Sequence, residues 1–354
     1  MGKAIGHLDG SGGAPASPFL AADVGGTHAR VAMLRASRDA GREVEVLAYR
    51  KFVCTDFPGL AELLQAFVDG DARTPVRHCV LACAGQLMGD EVVNDNLAWP
   101  IHLAQLRLAL SLDDIAVLND FEALGYALDG PLAHGGRHLC GPDTHAEGPT
   151  LVIGPGTGLG AAVHVPGSAG GFVLTTEAGQ MDFAPNSIRE REILAYLAPL
   201  GGYVEFERIV SGPGLLTVYA TLCALQGKAA RLATPEAVTT AAAACSDVHA
   251  MEAVDVFCAS LGSLAGNLAM TFMATGGVYL AGGFLSSMFA LLQRSAFEER
   301  FLHGRSARVL LSQIPVRVTE HGRHGVLGAA QWYLQRGMPG EATARHAVAG
   351  GVTV

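Results

Sequence analysis

The sequence predicts an α/β protein of two domains with a ligand cleft between them. Two glycine-threonine turns and a repeated order of short strands and helices carry that expectation. The first turn, Asp23-Val24-Gly25-Gly26-Thr27, lies between apolar runs at 19–22 and 31–34. The second, Gly154-Pro155-Gly156-Thr157-Gly158-Leu159-Gly160, follows about 130 residues later in the same setting. Both read as strand, turn, strand. Glycine lets backbone amides approach phosphate oxygens that a Cβ would hold away. Two such hairpins, one per half, can face each other and grip a polyphosphate. A Walker ending in Gly-Lys-Ser/Thr is absent, and Gly160 runs on into Ala-Ala-Val-His-Val, a strand where a dinucleotide fold needs a helix.

The elements follow in order. Residues 44–53 alternate as a third strand; Leu60, Leu63, Leu64 and Phe67 recur at helical spacing, and a strand follows at 79–82. Residues 91–99 read as a strand and turn, and 103–110 as a helix. Ile115-Ala116-Val117-Leu118 is a short buried strand that delivers Asn119-Asp120 at its carboxyl end, where a helix over 121–128 begins. Ligands of open α/β sheets gather outside strand carboxyl ends, which singles out Asp120. The second half repeats the plan, with strands near 151–153, 161–165 and 172–175, then helices from about 187 to 275. A last strand at 278–281 ends on Gly282-Gly283. The Gly/His-rich segment 130–147 reads as a linker, and a final helix at about 326–335 packs back on the first half. The expected division is a disordered tail over 1–18, a small domain over 19–130 plus about 321–337, a large domain over 131–320, and a frayed tail over 338–354.

Composition narrows the function. The chain has 354 residues, a net charge of −9 and no basic stripe, which argues against nucleic acid as a partner. Seven scattered cysteines without a Cys-x-x-Cys pair suggest reduced thiols and a cytoplasmic location. The first 18 residues lack the apolar core of a signal peptide. Residues 256–273 are nearly charge-free, but Ser260, Gly262, Ser263, Gly266 and Asn267 interrupt them. That pattern predicts a buried core helix and no membrane partner.

Six motifs in order resemble bacterial glucokinase: Asp23-Val-Gly-Gly-Thr27, Leu118-Asn-Asp120-Phe, Gly154-Pro-Gly-Thr-Gly-Leu-Gly160, Glu177 before Met181-Asp-Phe-Ala-Pro185, Ser211-Gly-Pro-Gly214 and Leu280-Ala-Gly-Gly283. The resemblance spans about 19–335. It implies the ribonuclease H-like fold of the actin/hexokinase-type ATPase superfamily, with an interdomain active-site cleft. The zinc-binding subfamily is excluded, because its Cys-x-Cys-Gly-x-x-Gly-Cys segment does not occur.

The implied activity is ATP-dependent phosphorylation of glucose at O6. Such a transfer needs a base at the hydroxyl and neutralisation of charge on the phosphates. Asp120 is the candidate base; its alternative use is as a helix N-cap. Asn119 would bind a ring hydroxyl, or serve as a turn residue. Asp23 would hold Mg²⁺, directly or through water. Gly25, Gly26, Thr27, Gly154, Gly156, Thr157 and Gly158 would hold the phosphates, Thr157 reaching the sugar side as well. Gly282 and Gly283 would let adenosine lie against a strand end. The resemblance further implies Glu177 and Glu207 as sugar ligands, with Glu205 an alternative to Glu207. Asp182 reads as structural, bonding backbone amides of its turn.

Three positions depart from the family. Gln180 stands where a His is usual, His28 where an Asn is usual, and Ala82-Cys83-Ala84-Gly85 lacks the commoner proline. Gln180 keeps open a kinase for another hexose, such as mannose, and a non-catalytic sugar sensor. Glucose and ATP are the expected ligands, and a homodimer the expected assembly.

Overall fold

The structure is a computed structural model that describes residues 17–37, 44–72, 74–94, 97–128, 130, 135–144, 147–168, 170–304, 306–320 and 322–337. The two expected tails, apart from residues 17 and 18, lie outside these. The first half runs β1 (Phe19–Val24), β2 (His28–Ala36), β3 (Val44–Val53), α1 (Leu60–Phe67), β4 (His78–Cys83), β5 (Gln86–Met88), β6 (Glu91–Val93), β7 (Ile101–His102), α2 (Leu103–Leu110), β8 (Asp114–Leu118) and α3 (Asp120–Ala127). The second runs β9 (Arg137–Cys140), β10 (Thr150–Pro155), β11 (Leu159–Val165), β12 (Phe172–Thr176), α4 (Ile188–Leu197), α5 (Gly212–Leu225), α6 (Pro235–Ala243), α7 (Val248–Thr271) and β13 (Gly277–Ala281). Four short helices follow, α8 (Gly283–Ser287), α9 (Phe289–Gln293), α10 (Phe297–Phe301) and α11 (Arg308–Leu311), then β14 (Val316–Thr319) and α12 (His324–Gly337).

The two halves share one sheet plan. In the first sheet the order is β3-β2-β1-β4-β8, with β1, β4 and β8 parallel. In the second it is β12-β11-β10-β13-β14, with β10, β13 and β14 parallel. Each begins as an antiparallel meander whose first turn is one of the two glycine-threonine turns. Parallel alignment then brings several carboxyl ends to one edge: Asp23-Val24 of β1, Cys83 of β4 and Leu118 of β8 in the first sheet.

Two expectations are corrected. The segment read as a plain linker contains β9, which pairs antiparallel with β14 and extends the second sheet. Its four residues, Arg-His-Leu-Cys, are too few to show a period against glycine-rich flanks. The strand and turn read at 91–99 is one strand of a separate three-stranded sheet, β5-β6-β7.

The cores follow the layers. The largest packs α5, α6, α7 and α10 on the second sheet, around Tyr219, Phe257, Phe297 and Phe301. The apolar run that resembles a membrane span falls in α7, and 83% of its most apolar stretch is buried there. Both faces of the first sheet are covered, one by α1 and α2 and the other by α3 and α12. α12 thus returns to the first half, as the sequence predicts. All seven cysteines are free thiols, six of them buried.

One element belongs to both halves. Ala123 and Tyr126 of α3 join the core under α12, while Leu124, Ala127 and Leu128 pack on Val152, Ala162, Tyr279 and Ala281 of the second sheet. α12 crosses α3 where Gly328 faces the Ala123 carbonyl, with no room for a Cβ.

Candidate active site

The first turn is tight and its tip is exposed. Gly25 N–H donates to the His28 carbonyl (3.0 Å) and Cys54 N–H to the Thr27 carbonyl (2.9 Å). Among the described residues no backbone bond uses the Gly26 or Thr27 amides, which leaves them for a ligand. Asp23, at the end of β1, is 3% exposed, and Arg30 Nη1 lies 3.4 Å from its Oδ2. A Cβ on Gly325 would come 2.8 Å from that carboxylate, so the start of α12 rests directly on Asp23.

Asn119 and Asp120 divide their work differently from either sequence reading alone. The N-cap of α3 is Asn119, whose Oδ1 accepts from Phe121 N–H (2.9 Å) and Glu122 N–H (3.2 Å). Asp120 is the first residue of the helix, and its Oδ1 also accepts from Phe121 N–H at 2.9 Å. The N-cap alternative for Asp120 is therefore taken by its neighbour. Asn119 keeps the two donors of its Nδ2 for another oxygen. Both carboxylates, Asp120 and Asp23, lie close enough to the buried Cys83 thiol to act on it. Burial first, then Asp120 and Asp23, push that thiol up to about 12, so it stays protonated.

In the second turn the glycines differ in purpose. Gly154 and Gly160 are directly paired across β10 and β11, and the Phe121 ring lies on the pair. A Cβ on Gly154 would meet Phe121 Cζ at 2.7 Å, and one on Gly160 would run into the ring. Glycine is required there by packing. At Gly158 a Cβ would meet Glu207 Oε2 at 2.7 Å. Gly156 has open space around it, as does Gly283, so the protein itself does not demand glycine at either. A ligand backed closely onto the chain would. Gly156 N–H donates to the Gly158 carbonyl (2.8 Å), while the Thr157 and Gly158 amides form no backbone bond among the described residues. Gly212 N–H donates to the Gly156 carbonyl (2.8 Å), bringing the N-terminus of the 14-residue α5 to the same turn. Gly282 has φ 132°, a conformation that favours glycine, and opens α8.

The three remaining sequence-predicted residues gather around Leu159. Glu207 Oε2 accepts from Leu159 N–H at 2.8 Å, which fixes one oxygen of the carboxylate. Glu177 and Gln180 bracket a single 3₁₀ turn, Ala178–Gln180, and both are exposed. That turn is pressed onto Leu159 so closely that a Cβ on Gly179 would come 3.1 Å from the Leu159 Cβ. Glu205 precedes the turn that carries Glu207, and its backbone bridges to Asp182. Asp182 is exposed and acts through that bridge, among the described residues, where the sequence suggests a side chain bonding its turn. Sequence reasoning missed Phe121 and the cap on Asn119; a phenylalanine two residues after a candidate cap carries no signal of its own.

The profile of the glucokinase family matches residues 20–336. The chain is 42% identical over 319 residues to a glucokinase-like protein of Xylella fastidiosa, spanning 90% of this chain and 95% of that one. It is 36% identical over 312 residues to the glucokinase of Marinobacter nauticus, spanning 88% and 96%. A solved glucokinase from an Antarctic psychrotroph shares its fold with a TM-score of 0.77 at 28% identity, over 89% of this chain and 98% of that one. The α/β architecture is of the actin/hexokinase type.

Proposed function

The chain belongs to the glucokinase family, and we propose that it transfers the γ-phosphoryl group of ATP to the O6 hydroxyl of glucose. One observation carries the reading: Phe121 seats the Asn119-Asp120 turn of the first sheet on the Gly154/Gly160 pair of the second. A carboxylate at a strand end and a glycine hairpin with exposed amides are thereby neighbours. Asp120 accepts the O6 proton as the oxygen attacks phosphorus. Asn119, through Nδ2, and the carboxylates of Glu177 and Glu207 hold ring hydroxyls, with Gln180 beside them. Thr27 and Thr157 add hydroxyl donors to the amides of Gly26, Thr27, Thr157 and Gly158 around the phosphates, while Gly25 and Gly156, whose own N–H groups close the turns, let the phosphates come near. Gly282 and Gly283 give adenosine a flat approach.

Asp23 fits Mg²⁺, which takes one or two carboxylates and fills its other positions with phosphate oxygens and water. Among the described residues no group of three or more His, Cys, Asp or Glu side chains could cage a metal, which suits an ion carried on the nucleotide. When bound it would offset the negative charge of the β- and γ-phosphates. The missing Cys-x-Cys-Gly-x-x-Gly-Cys segment supports a place outside the zinc-binding branch.

Gln180 favours a second reading, a kinase for another hexose such as mannose. A coupled assay of the purified protein with a panel of hexoses and MgATP separates the two. Within it, Asp120→Ala is expected to lower kcat by roughly 10²–10⁴, the range for a positioned base. Nucleotide affinity should hardly change, because the hairpin tips bind the phosphates. Near-normal turnover in that variant would rule out Asp120 as the base.

A further inference from the structure

Phe121 touches both sides of the reaction at once. Its N–H donates to Asp120 Oδ1 at 2.9 Å and to Asn119 Oδ1 at 2.9 Å, so it aims the candidate base and ties it to the helix cap. Its ring lies on the Gly154/Gly160 pair, two residues from the turn that carries Thr157. A Cβ on Gly154 would meet the ring edge at 2.7 Å and the Ala281 carbonyl at 2.8 Å. The ring therefore fills a slot walled by β10, β11 and the end of β13, beside the Gly282-Gly283 turn. Nothing softer than an aromatic ring holds a fixed spacing there, since a flat ring on two glycines has few alternative rotamers.

We propose that Phe121 is a positioning residue that sets the distance between Asp120 and the second phosphate hairpin. The proposal rests on the kinase reading above. Phosphoryl transfer needs the attacking oxygen and the phosphorus in line, and a displacement of about 1 Å at such a centre costs about a hundredfold in rate. Asp120 belongs to the first sheet and the hairpin to the second. Leu124, Ala127 and Leu128 dock α3 on the second sheet, and the Phe121 ring, received by the two glycines, is the contact next to the base and the hairpin. Without the spacer each ligand still finds its own contacts, so affinity survives while alignment is lost.

The test uses Phe121→Met, which keeps an apolar but smaller and flexible side chain in the slot, together with Gly160→Ala and the double variant. The wild type must first phosphorylate a hexose; if it phosphorylates none, the kinase reading fails and the spacer is not at issue. With an active wild type, Phe121→Met should lose roughly a hundredfold in kcat, with KM for sugar and ATP each within about threefold. Its melting midpoint should stay close to that of the wild type. Gly160→Ala should also lose kcat, because its methyl group displaces the ring. In the double variant the losses should overlap rather than multiply, since both changes act on one contact. Unchanged kcat in Phe121→Met, a loss confined to KM, or losses that multiply would each overturn the proposal. If Phe121→Met melts early, Gly160→Ala alone decides by the same split between kcat and KM.

Discussion

His28 follows the first turn directly and has two cations near it, Arg30 on its own strand and Lys51 on β3. Partial burial first, then Lys51 and Arg30, hold its imidazole below the usual 6.5. The neutral ring is thus the form present at pH 7. Arg30 also faces Asp23, and Arg323 stacks on Tyr49 farther along the same face of the sheet. The unfolded chain takes up the proton first, so His28 leaves stability untouched above pH 6.5 and lowers it as pH falls toward the folded value. His28→Asn should remove that part of the acid sensitivity, seen as a smaller drop in melting midpoint between pH 7.5 and 5.5. Triphosphate at the turn would draw the proton back, so ATP affinity should rise on acidification more in the wild type than in His28→Asn. Equal pH profiles for the two proteins would exclude His28 from the phosphate site. Gln180 supplies a separate test. A neutral hydrogen bond contributes about 0.5–1.5 kcal/mol net, so Gln180→His should change glucose affinity by about tenfold at most. We expect a lower KM for glucose, sharper discrimination against mannose and nearly constant kcat, because the reacting hydroxyl lies across the ring. A hundredfold gain in kcat at constant KM would instead mark the native protein as a weakened kinase or a sensor. Strand-end placement and the family resemblance made Asp120, Asp23 and the threonines candidates, and the helix-cap alternative for Asp120 stayed open until the structure gave the cap to Asn119. The same reasoning could not separate Gly156 from Gly154, since which glycine faces a ligand and which faces Phe121 depends on a contact between halves.

At the level of elements, strands with a clear alternation and helices with a full apolar stripe were legible to within a few residues. β3 spans 44–53 and α2 spans 103–110, as their patterns predict. β5, β7 and β9 have two to four residues each and cannot display a period, so their pairing is decided by partners far along the chain. α3 posed a different difficulty. Its apolar residues serve two cores, and a sequence stripe does not say which neighbour each side will meet. α4 carries a device invisible to periodicity. Ser187 and Glu190 form a capping box, and the Glu190 carboxylate also receives Arg300 Nη1 at 2.7 Å, with Arg300 Nε on Ser263 Oγ at 2.9 Å. The Glu190 side chain is 2% exposed and that of Arg300 10%, so α4, α7 and α10 are joined by a buried ion pair. Removing one partner strands the other charge away from water. Glu190→Ala is therefore expected to destabilise the protein by about 3–5 kcal/mol. Urea denaturation would measure it, and a loss below 1 kcal/mol would mean that water reaches Arg300 in the variant.

At the level of the whole molecule, the doubled sheet plan puts one glycine-threonine turn on each half and leaves the two to be brought together. On the proposed reading sugar enters between the halves, and water must leave before transfer, or ATP would be hydrolysed without product. The chain passes between the halves near 118–131 and again near 318–325, of which residues 129, 131 and 321 lie outside those described. The described parts of these passages suit bending. Leu118 ends a strand and Asn119 caps a helix, while Gly322, with φ 43°, lies between β14 and α12. Between them α3 and α12 cross in tight contact, with Gly328 against the Ala123 carbonyl. On the proposed reading, glucose held by Asn119 and Asp120 on one side and by Glu177 and Glu207 on the other would supply the differential affinity that favours the closed form. Saturating glucose alone should therefore reduce the radius of gyration in solution scattering, and ATP hydrolysis without sugar should be far slower than sugar phosphorylation. Identical scattering with and without glucose would show that the halves are already closed, and exclusion of water would then have to come from the sugar itself filling the cleft.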